Sequence, residues 1–364
     1  MIETDSYDFI HLVRISSSDS AHFGERQIAA NKFTTRIMSK ARTNVKRDTC
    51  FLCNKECSSF CNSHSIPEFT LRYIAEKGKV IATLQKELPL LGQDTGLNKA
   101  GTFQIICRDC DSSVFGDYEN PEAYDKIPTD KMLAEIALKD YLRMISRRFV
   151  ENELYKLLGQ RFTNYKEVTD EKQFIGSNDL QDFLRGFHYA QKTIQKNDGN
   201  RYHLCFYTVL NYVVPYAAQS PIVLISDFED NVVNDVYNFS PTYQTESLHI
   251  AVFPLASKSV VLLFAEQGKK RYRKFFRQFN RLSKEDQLAA INFIIFAYTE
   301  NVYLSTKIAD ELQSNEVFMD ICRTTADYTA VALLGDPLAA AIKGFSLSRR
   351  KDIPNLLSEE YAIK

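Results

Sequence analysis

The stretch CFLCNKECSSFCNSHSIP, residues 50–67, decides how the first third of this chain folds. It opens with one Cys-x-x-Cys pair, and a second pair, CRDC, follows at residues 107–110. Two such pairs supply four thiolates, which is enough to close a tetrahedral zinc site, and the short spacing lets one tight turn present two sulfurs to the same ion. The sequence therefore predicts a structural zinc ion. Its ligands would be Cys50, Cys53, Cys107 and Cys110.

Two further cysteines, Cys57 and Cys61, lie between the pairs and leave a choice open. They could provide alternative ligands or be free thiols packed near the ion, and the spacing favours the two pairs. Because the gap between the pairs is longer than usual for such a site, we predict an inserted segment within residues 73–96. Cys205 and Cys322 stand in apolar surroundings and are predicted to be buried.

The composition is that of an ordinary folded protein, with 364 residues of which 45% are hydrophobic and 25% charged. This length predicts two domains, each large enough to bury a core. The formal net charge is −1. No overall field therefore draws the chain to nucleic acid or to a membrane, and any such binding must come from local patches.

The N-terminal residues 1–15 carry acids where a secretory signal needs positive charge. The longest apolar runs, at 259–265 and 291–298, are far shorter than the ~20 residues of a membrane-spanning helix. We therefore expect a cytoplasmic protein without membrane association. In such a reducing environment, cysteines are more often metal ligands or buried thiols than disulfides.

Periodicity in the rest of the chain indicates both helices and strands. Apolar residues at helical spacing predict helices over 129–158 (with Thr129 as N-cap), over 177–196 and after Ser283. Short β-branched and aromatic runs predict strands over 203–214, 221–228 and 248–265, the last of which would be a hairpin.

Three motifs together, CFLC, SHSIP and TFQIICRDCD, resemble the two-CxxC branch of the HNH endonucleases. The resemblance covers residues 50–115 and implies a ββα-metal fold built on a treble-clef zinc knuckle. We thus predict an α+β protein in two parts. Residues 1–120 would form a basic arm and a zinc-binding HNH-like module. Residues 121–364 would form a mostly helical domain with a small antiparallel sheet.

The chemistry that this resemblance implies is metal-assisted hydrolysis of a phosphodiester. His64 would be the general base that activates water, and Thr102 would orient its imidazole. Asp111 would bind a catalytic Mg²⁺ or Mn²⁺ ion.

Three positions depart from the family pattern. Ser63 stands where the family has a metal-binding Asp, Thr102 where it has Asn, and Asp111 where it has His or Asn. A carboxylate suits a hard cation and a hydroxyl does so poorly, so the predicted site has lost a charged ligand. The candidates to replace that ligand are Glu119, or Asp109 and Asp117. From the residues alone, His64 could instead bind zinc or pin the turn before Pro67.

Two basic stretches are candidates for contacts with phosphates. Residues 26–47 contain seven Lys or Arg and no acid, and we predict that this arm binds nucleic acid, DNA more than RNA. The predicted contacts are Lys32, Arg36, Lys40, Arg42, Lys46 and Arg47. Residues 268–284 are interpreted first as an amphipathic helix docked by its phenylalanines, and alternatively as a stripe that contacts phosphates.

Three hypotheses about function follow. The first is an HNH-like metal-dependent nuclease that cuts DNA or RNA; a role in bacterial defence or in a mobile element is a fold-level analogy. The second is a zinc-stabilised module that binds nucleic acid or protein without catalysis, its metal site having decayed. The third is an interaction protein in which zinc merely holds one end. The C-terminal part would sense, select targets or form a homodimer.

Overall fold

The computed structural model describes residues 24–83, 91–196, 199–240, 242–331 and 336–363. Residues 1–15, on which the prediction of localisation rests, lie outside the described residues. Within the described ranges, no helix combines the length and the apolar character that crossing a bilayer requires. Helices and antiparallel strands are mixed, as the sequence predicts for an α+β chain.

Nine strands occur in the described part of the chain. They are β1 (Ser63–His64), β2 (Lys79–Thr83), β3 (Leu91–Gly96), β4 (Thr102–Phe103), β5 (Tyr202–Leu210), β6 (Tyr216–Ile222), β7 (Leu248–Pro254), β8 (Ser259–Glu266) and β9 (Val302–Leu304). β1 and β4 form a two-stranded sheet, and the other seven form one antiparallel sheet in the order β3-β2-β9-β6-β7-β8-β5.

The seven-stranded sheet draws on both parts of the sequence. The hairpin of β2 and β3 comes from the region of the predicted insert between the cysteine pairs, and Ile81 of β2 lies opposite Leu304 of β9. The strands predicted after residue 200 thus share their sheet with a hairpin from the first part of the chain. The division between residues 120 and 121 stays a prediction.

The strand predicted over 221–228 is wrong beyond its first two residues, since β6 ends at Ile222. Directly past that point two backbone N–H groups donate to aromatic hydroxyls, and Ser226 then forms only an isolated bridge with Val232. The Leu224 N–H donates to the Tyr272 hydroxyl at 3.3 Å, and the Ile225 N–H donates to the Tyr298 hydroxyl at 3.4 Å. These aromatic hydroxyls satisfy the backbone and leave the chain free to turn away.

The described helices are α1 (Gly24–Asn44), α2 (Glu68–Ile74), α3 (Arg108–Val114), α4 (Asp130–Arg161), α5 (Lys166–Lys196), α6 (Tyr272–Phe279), α7 (Lys284–Tyr298), α8 (Ala309–Gln313), α9 (Glu316–Val331) and α10 (Pro337–Gly344). Both predicted N-caps are present. The Thr129 hydroxyl accepts a hydrogen bond from the Met132 N–H, and the Ser283 hydroxyl accepts one from the Asp286 N–H. Short polar side chains thus set where α4 and α7 begin.

The seven-stranded sheet is buried on both faces. Val252 and Phe253 follow each other on β7 but belong to different hydrophobic cores, as do Leu263 and Leu262 on β8, because successive side chains of a strand point to opposite faces. One face is covered by α4, α5 and the cysteine-rich region, and the other by α6 and α7. The cysteine-rich region is therefore seated on the sheet.

Helix α1 packs on the outside of this assembly. Its Ile37 and Ala41 bury against Leu157, Leu158 and Phe162 at the C-terminal end of α4. The opposite side of α1 faces solvent. This packing presents one face of the basic arm outward, beside the first cysteine pair.

Candidate metal centre

The four predicted ligands reach one place from two local structures. Cys50 and Cys53 lie on a tight turn in which the Asn54 N–H donates to the Cys50 carbonyl and Asn54 has a φ of 57°, in the left-handed region that Asn tolerates. Cys107 is the N-cap of α3 and Cys110 lies in its first turn. A turn and the start of a helix therefore each contribute two sulfurs.

The geometry of the four sulfurs fits a single metal ion. All four Sγ atoms lie within 4.8 Å of one another, with Cys50 and Cys110 at 3.8 Å and Cys53 and Cys107 at 3.9 Å. A zinc ion with Zn–S bonds of about 2.3 Å in a tetrahedron places its sulfurs about 3.8 Å apart. The four cysteines could therefore bind a metal ion such as zinc, and with four protein ligands the site would be structural.

The surroundings favour ionised sulfur at Cys50. Burial raises the pKa of the Cys50 thiol, but hydrogen bonds from the N–H groups of Cys107, Cys53 and Leu52 outweigh this effect and lower the pKa to about 7. The Cys107 N–H lies 3.3 Å from the Cys50 sulfur. Burial and the neighbouring sulfurs raise the pKa of Cys110, because thiolates side by side repel each other. The positive charge of a divalent cation would offset this repulsion, and the thiols that coordinate it would therefore be deprotonated.

The other two cysteines of the region have partners of their own. The Cys57 thiol donates to the Lys55 carbonyl at 3.3 Å, and the Cys61 thiol donates to the Asp111 carboxylate at 3.1 Å. Burial and Asp111 raise the pKa of Cys61 to about 11. Both contacts favour the interpretation of Cys57 and Cys61 as free thiols near the metal centre.

His64 and Thr102 lie opposite each other on β1 and β4. The His64 Nε2 is 3.0 Å from the Leu97 carbonyl oxygen. Because a carbonyl only accepts, Nε2 carries the hydrogen and Nδ1 is left with the lone pair of the neutral ring. Thr102 donates to the Lys99 carbonyl at 3.4 Å, so Leu97, which the sequence did not single out, holds the imidazole. Among the described residues, His64 does not join the cysteine cluster.

Asp111 lies one residue past Cys110, and both of its carboxylate oxygens are engaged. Oδ1 accepts from the Ser63 hydroxyl at 2.5 Å and from the Lys139 ammonium at 2.8 Å, while Oδ2 accepts from the Cys61 thiol. Burial raises the pKa of Asp111, but Lys139 and the hydrogen bonds from Ser63 and Cys61 together lower it more, so the net shift is below the ordinary value. The carboxylate is therefore held in its ionised form by a lysine.

Lys139 is the centre of this cluster. Its fully buried ammonium lies 2.8 Å from Asp111, 3.1 Å from Glu119 and 3.0 Å from the Ser63 hydroxyl, so three acceptors match the three donors of an ammonium group. The Phe115 ring lies beneath it, with 3.7 Å from Nζ to the ring centroid. The structure thus places a monovalent cation beside Asp111, where the sequence predicts a divalent ion.

The sequence did contain a signal for Lys139. The run LAEIALKDYL, 133–142, lies in the most deeply buried part of α4, and its charged residues interrupt an otherwise apolar stretch. Buried charges need partners, so charged residues within this apolar stretch indicate contacts with oppositely charged or hydrogen-bonding groups. The partners themselves could not be predicted, because they belong to a segment outside the helix. Of the other acidic candidates, Glu119 joins the cluster, whereas Asp117 pairs with Lys131 at 2.8 Å and Asp109 is exposed.

The predicted nucleic-acid contacts are largely on the surface. Five of the six are exposed: Lys32, Arg36, Lys40, Arg42 and Lys46. Arg47 is half-buried, donates to the Thr49 carbonyl at 3.3 Å, and lies 5.2 Å from the centroid of the Phe51 ring. The basic face of α1 therefore runs directly into the first cysteine turn.

Glu135 lies one turn before Lys139 on α4 and forms hydrogen bonds with the segment that follows α3. Its buried carboxylate accepts from the Asp117 N–H at 3.1 Å and the Tyr118 N–H at 2.9 Å. Burial raises the pKa of Glu135 to about 7, although the two N–H donors favour the ionised form. Glu135 and Lys139 together bind the cysteine-rich region to α4.

This pKa predicts a pH dependence of stability. The folded chain keeps the Glu135 proton up to about pH 7, whereas an unfolded chain releases it near pH 4.3. Protonated Glu135 therefore makes its full contribution to the free energy of unfolding below about pH 4.3. This contribution, on the order of 3 kcal/mol, is lost as pH rises through about 7. We expect Glu135→Gln, which keeps an acceptor oxygen, to remove this part of the pH dependence in urea unfolding. Glu68→Gln, at a more exposed carboxyl, is the control, and an unchanged profile in Glu135→Gln would contradict the prediction.

No known family, curated protein or solved structure matches the chain. The chemistry of the site therefore follows from its own contacts. The four thiols provide a closed site that can rigidify the fold around a metal ion. Beside it lies a cluster in which one ammonium contacts two carboxylates and a hydroxyl.

Proposed function

We propose that the cysteine-rich region is a zinc-stabilised, HNH-like module that binds nucleic acid and has lost its catalytic ion. The observation that supports this most strongly is the Lys139 ammonium, which contacts Asp111 and Glu119. A Mg²⁺ or Mn²⁺ ion on Asp111 would face that ammonium at close range, where like charges repel strongly. Ser63 also offers only a hydroxyl where the family has a carboxylate. The residues present therefore do not fit a catalytic divalent ion.

The proposed binding surface is the exposed basic face of α1. Lys32, Arg36 and Lys40 are spaced by one helical turn and all are exposed. Cations on one face of a helix match the phosphates of a nucleic-acid backbone, and this kind of contact supplies most of the salt-dependent affinity. Arg47 links the same helix to the cysteine turn through Phe51. Zinc would thus hold the base of the binding helix.

A second candidate function, hydrolysis, is favoured by one observation. The Leu97 carbonyl takes the hydrogen bond of Nε2, so in the neutral imidazole Nδ1 of His64 is the nitrogen that could accept a proton from water. Burial raises the pKa of Glu119, while Lys139 and, more weakly, His64 lower it, so this carboxylate lies within the electrostatic reach of the imidazole. In the non-catalytic module, His64 and Glu119 are remnants of the site.

The test measures binding of the full chain to labelled DNA and RNA duplexes by fluorescence anisotropy across a salt series. We expect the triple variant Lys32→Glu, Arg36→Glu, Lys40→Glu to bind about tenfold or more weakly, and the slope of log K against log salt to fall by about 3. The matched control reverses three lysines on α5, Lys166, Lys192 and Lys196, and should retain most of the affinity.

Two outcomes would overturn the proposal. One is equal loss of affinity in the α1 and α5 variants, and the other is no binding by the wild type at low salt. Plasmid incubated with Mn²⁺ gives the companion measurement, in which we expect no cleavage. Cleavage that disappears in His64→Ala would instead support hydrolysis.

A further inference from the structure

Two basic segments that lie far apart in the sequence meet on the opposite side of the sheet from the metal centre. The first is α6 with its flanks, residues 268–284, and the second is SRRK at 348–351. The Arg350 guanidinium lies 5.7 Å from the centroid of the Phe228 ring, and that ring stacks on Phe275 of α6 at 5.5 Å. Asp286, in the first turn of α7, lies 3.6 Å from Arg350 and 2.9 Å from Lys351. The fold therefore gathers these cations around one helix.

Helix α6 is fixed in its orientation by an aromatic face. Tyr272, Phe275, Phe276 and Phe279 are all buried, and the Tyr272 hydroxyl donates to the Glu246 carbonyl at 2.6 Å. This confirms that the helix is docked by its phenylalanines, as the sequence predicts. Rotation of α6 would expose these rings, so its other side is presented to solvent in a defined way.

The exposed side of α6 and its flanking residues carries cations that have no acidic partner among the described residues. We call Lys270, Arg273, Arg277, Arg281 and Lys284 the basic ridge; all five are exposed. None of them forms an ion pair with a described carboxylate, in contrast to the neighbouring Lys274, which pairs with Glu229 at 2.6 Å and Asp227 at 3.6 Å. In a chain of net charge −1, this concentration is a local feature. Like charges held together repel, so an anionic ligand would relieve a cost that the free surface carries.

We propose that the basic ridge binds the phosphate backbone of nucleic acid. Arg273 and Arg277 lie one turn apart, about 6 Å along the helix axis, so both can contact one stretch of backbone. Arginine suits this contact because its planar guanidinium binds phosphate through two N–H groups. The proposal does not depend on the zinc module, since α1 packs against the C-terminal end of α4 whereas α6 packs into the core on the other face of the sheet.

An anionic membrane is the less suitable partner. A helix that binds a membrane surface inserts its apolar face into the lipid. The apolar face of α6 is instead buried in the protein core, where Phe275 and Phe279 have no exposed surface. What the ridge offers to a ligand is charge and hydrogen-bond donors, as nucleic-acid backbones require.

The experiment uses the full chain and a labelled DNA duplex across a salt series. The variant Arg273→Glu, Arg277→Glu, Arg281→Glu is expected to bind about tenfold or more weakly, with the slope of log K against log salt reduced by about 3. Replacing the same three arginines by lysine keeps the charge and should retain most of the binding. The aromatic face is untouched, so the thermal midpoint should match that of the wild type. The α5 variant described above has the same change in net charge and should bind normally.

Two results would overturn the proposal. One is that the ridge variant binds DNA as tightly as the wild type; a loss of binding to vesicles of anionic lipid, or to a polyglutamate peptide, would then identify a different partner for the ridge. The other is that the α5 variant loses as much affinity for DNA as the ridge variant. The α1 variant separates the two proposals, because a loss confined to α1 would leave the zinc module as the binding surface and remove the ridge.

Discussion

The purified chain is expected to carry one zinc ion, and Cys53→Ser or Cys107→Ser is expected to release it and unfold the cysteine-rich region. The reason is the closed set of four sulfurs within 4.8 Å. Zinc bound at such a site contributes about 10–16 kcal/mol near neutral pH, which equals or exceeds the total stability of a typical domain, about 5–15 kcal/mol. Elemental analysis measures the metal content. Urea unfolding with and without a chelator measures the stability that is lost when the zinc ion is removed.

The matched controls for this prediction are Cys57→Ser and Cys61→Ser. Both positions lie in the same segment, but their sulfurs contact the Lys55 carbonyl and Asp111. A serine hydroxyl can make either contact, so both variants should keep the ion. Zinc retained at full occupancy by Cys107→Ser, or lost from Cys57→Ser, would contradict the assignment of ligands.

Replacing Lys139 by methionine is expected to destabilise the zinc-loaded chain by about 3–5 kcal/mol, the usual cost of removing one partner from a buried ion pair. Methionine keeps much of the side-chain volume but leaves Asp111 and Glu119 close together without a cation. Urea unfolding measures the change. Lys166→Met is the control, because its ion pair with Asp170 is exposed and such surface pairs contribute little to stability.

Manganese gives a sharper test of the same residue. If the Lys139 ammonium stands in the place of a divalent ion, Mn²⁺ should stabilise Lys139→Met against unfolding and leave the wild type unaffected, since ligands that bind only the folded state raise its stability. Equal stabilisation of both proteins would show that the lysine and the metal do not compete. A loss of less than about 1 kcal/mol in Lys139→Met would count against a buried charge pair.

Local chemistry explains which features the sequence could predict. The spacing of the cysteine pairs restricts their sulfurs to one turn or one helix start, so it favoured this set of four over sets that include Cys57 or Cys61. The N-caps at Thr129 and Ser283 depend on contacts three residues apart, and they too were accessible. The docking of α6 followed from the spacing of its phenylalanines.

Features that depend on distant segments could not be predicted in the same way. The contact of Lys139 with Asp111 and Glu119 exists only because α4 lies across the cysteine-rich region. The role of Leu97 in holding His64 depends on the backbone of a loop and not on the type of its side chain. The meeting of Arg350 with Phe228 required the whole second half of the chain to be folded. Periodicity carries no information about such pairings.

The pairing of β2 with β9 has a consequence for how the protein is made. During synthesis the hairpin of β2 and β3 leaves the ribosome early, but its partner strand is encoded more than 200 residues later. At about 5–20 residues per second, the nascent chain would keep one edge of β2 unpaired for roughly 10–40 seconds. An unpaired edge is a template for aggregation, so this edge can pair with other chains until β9 has been translated.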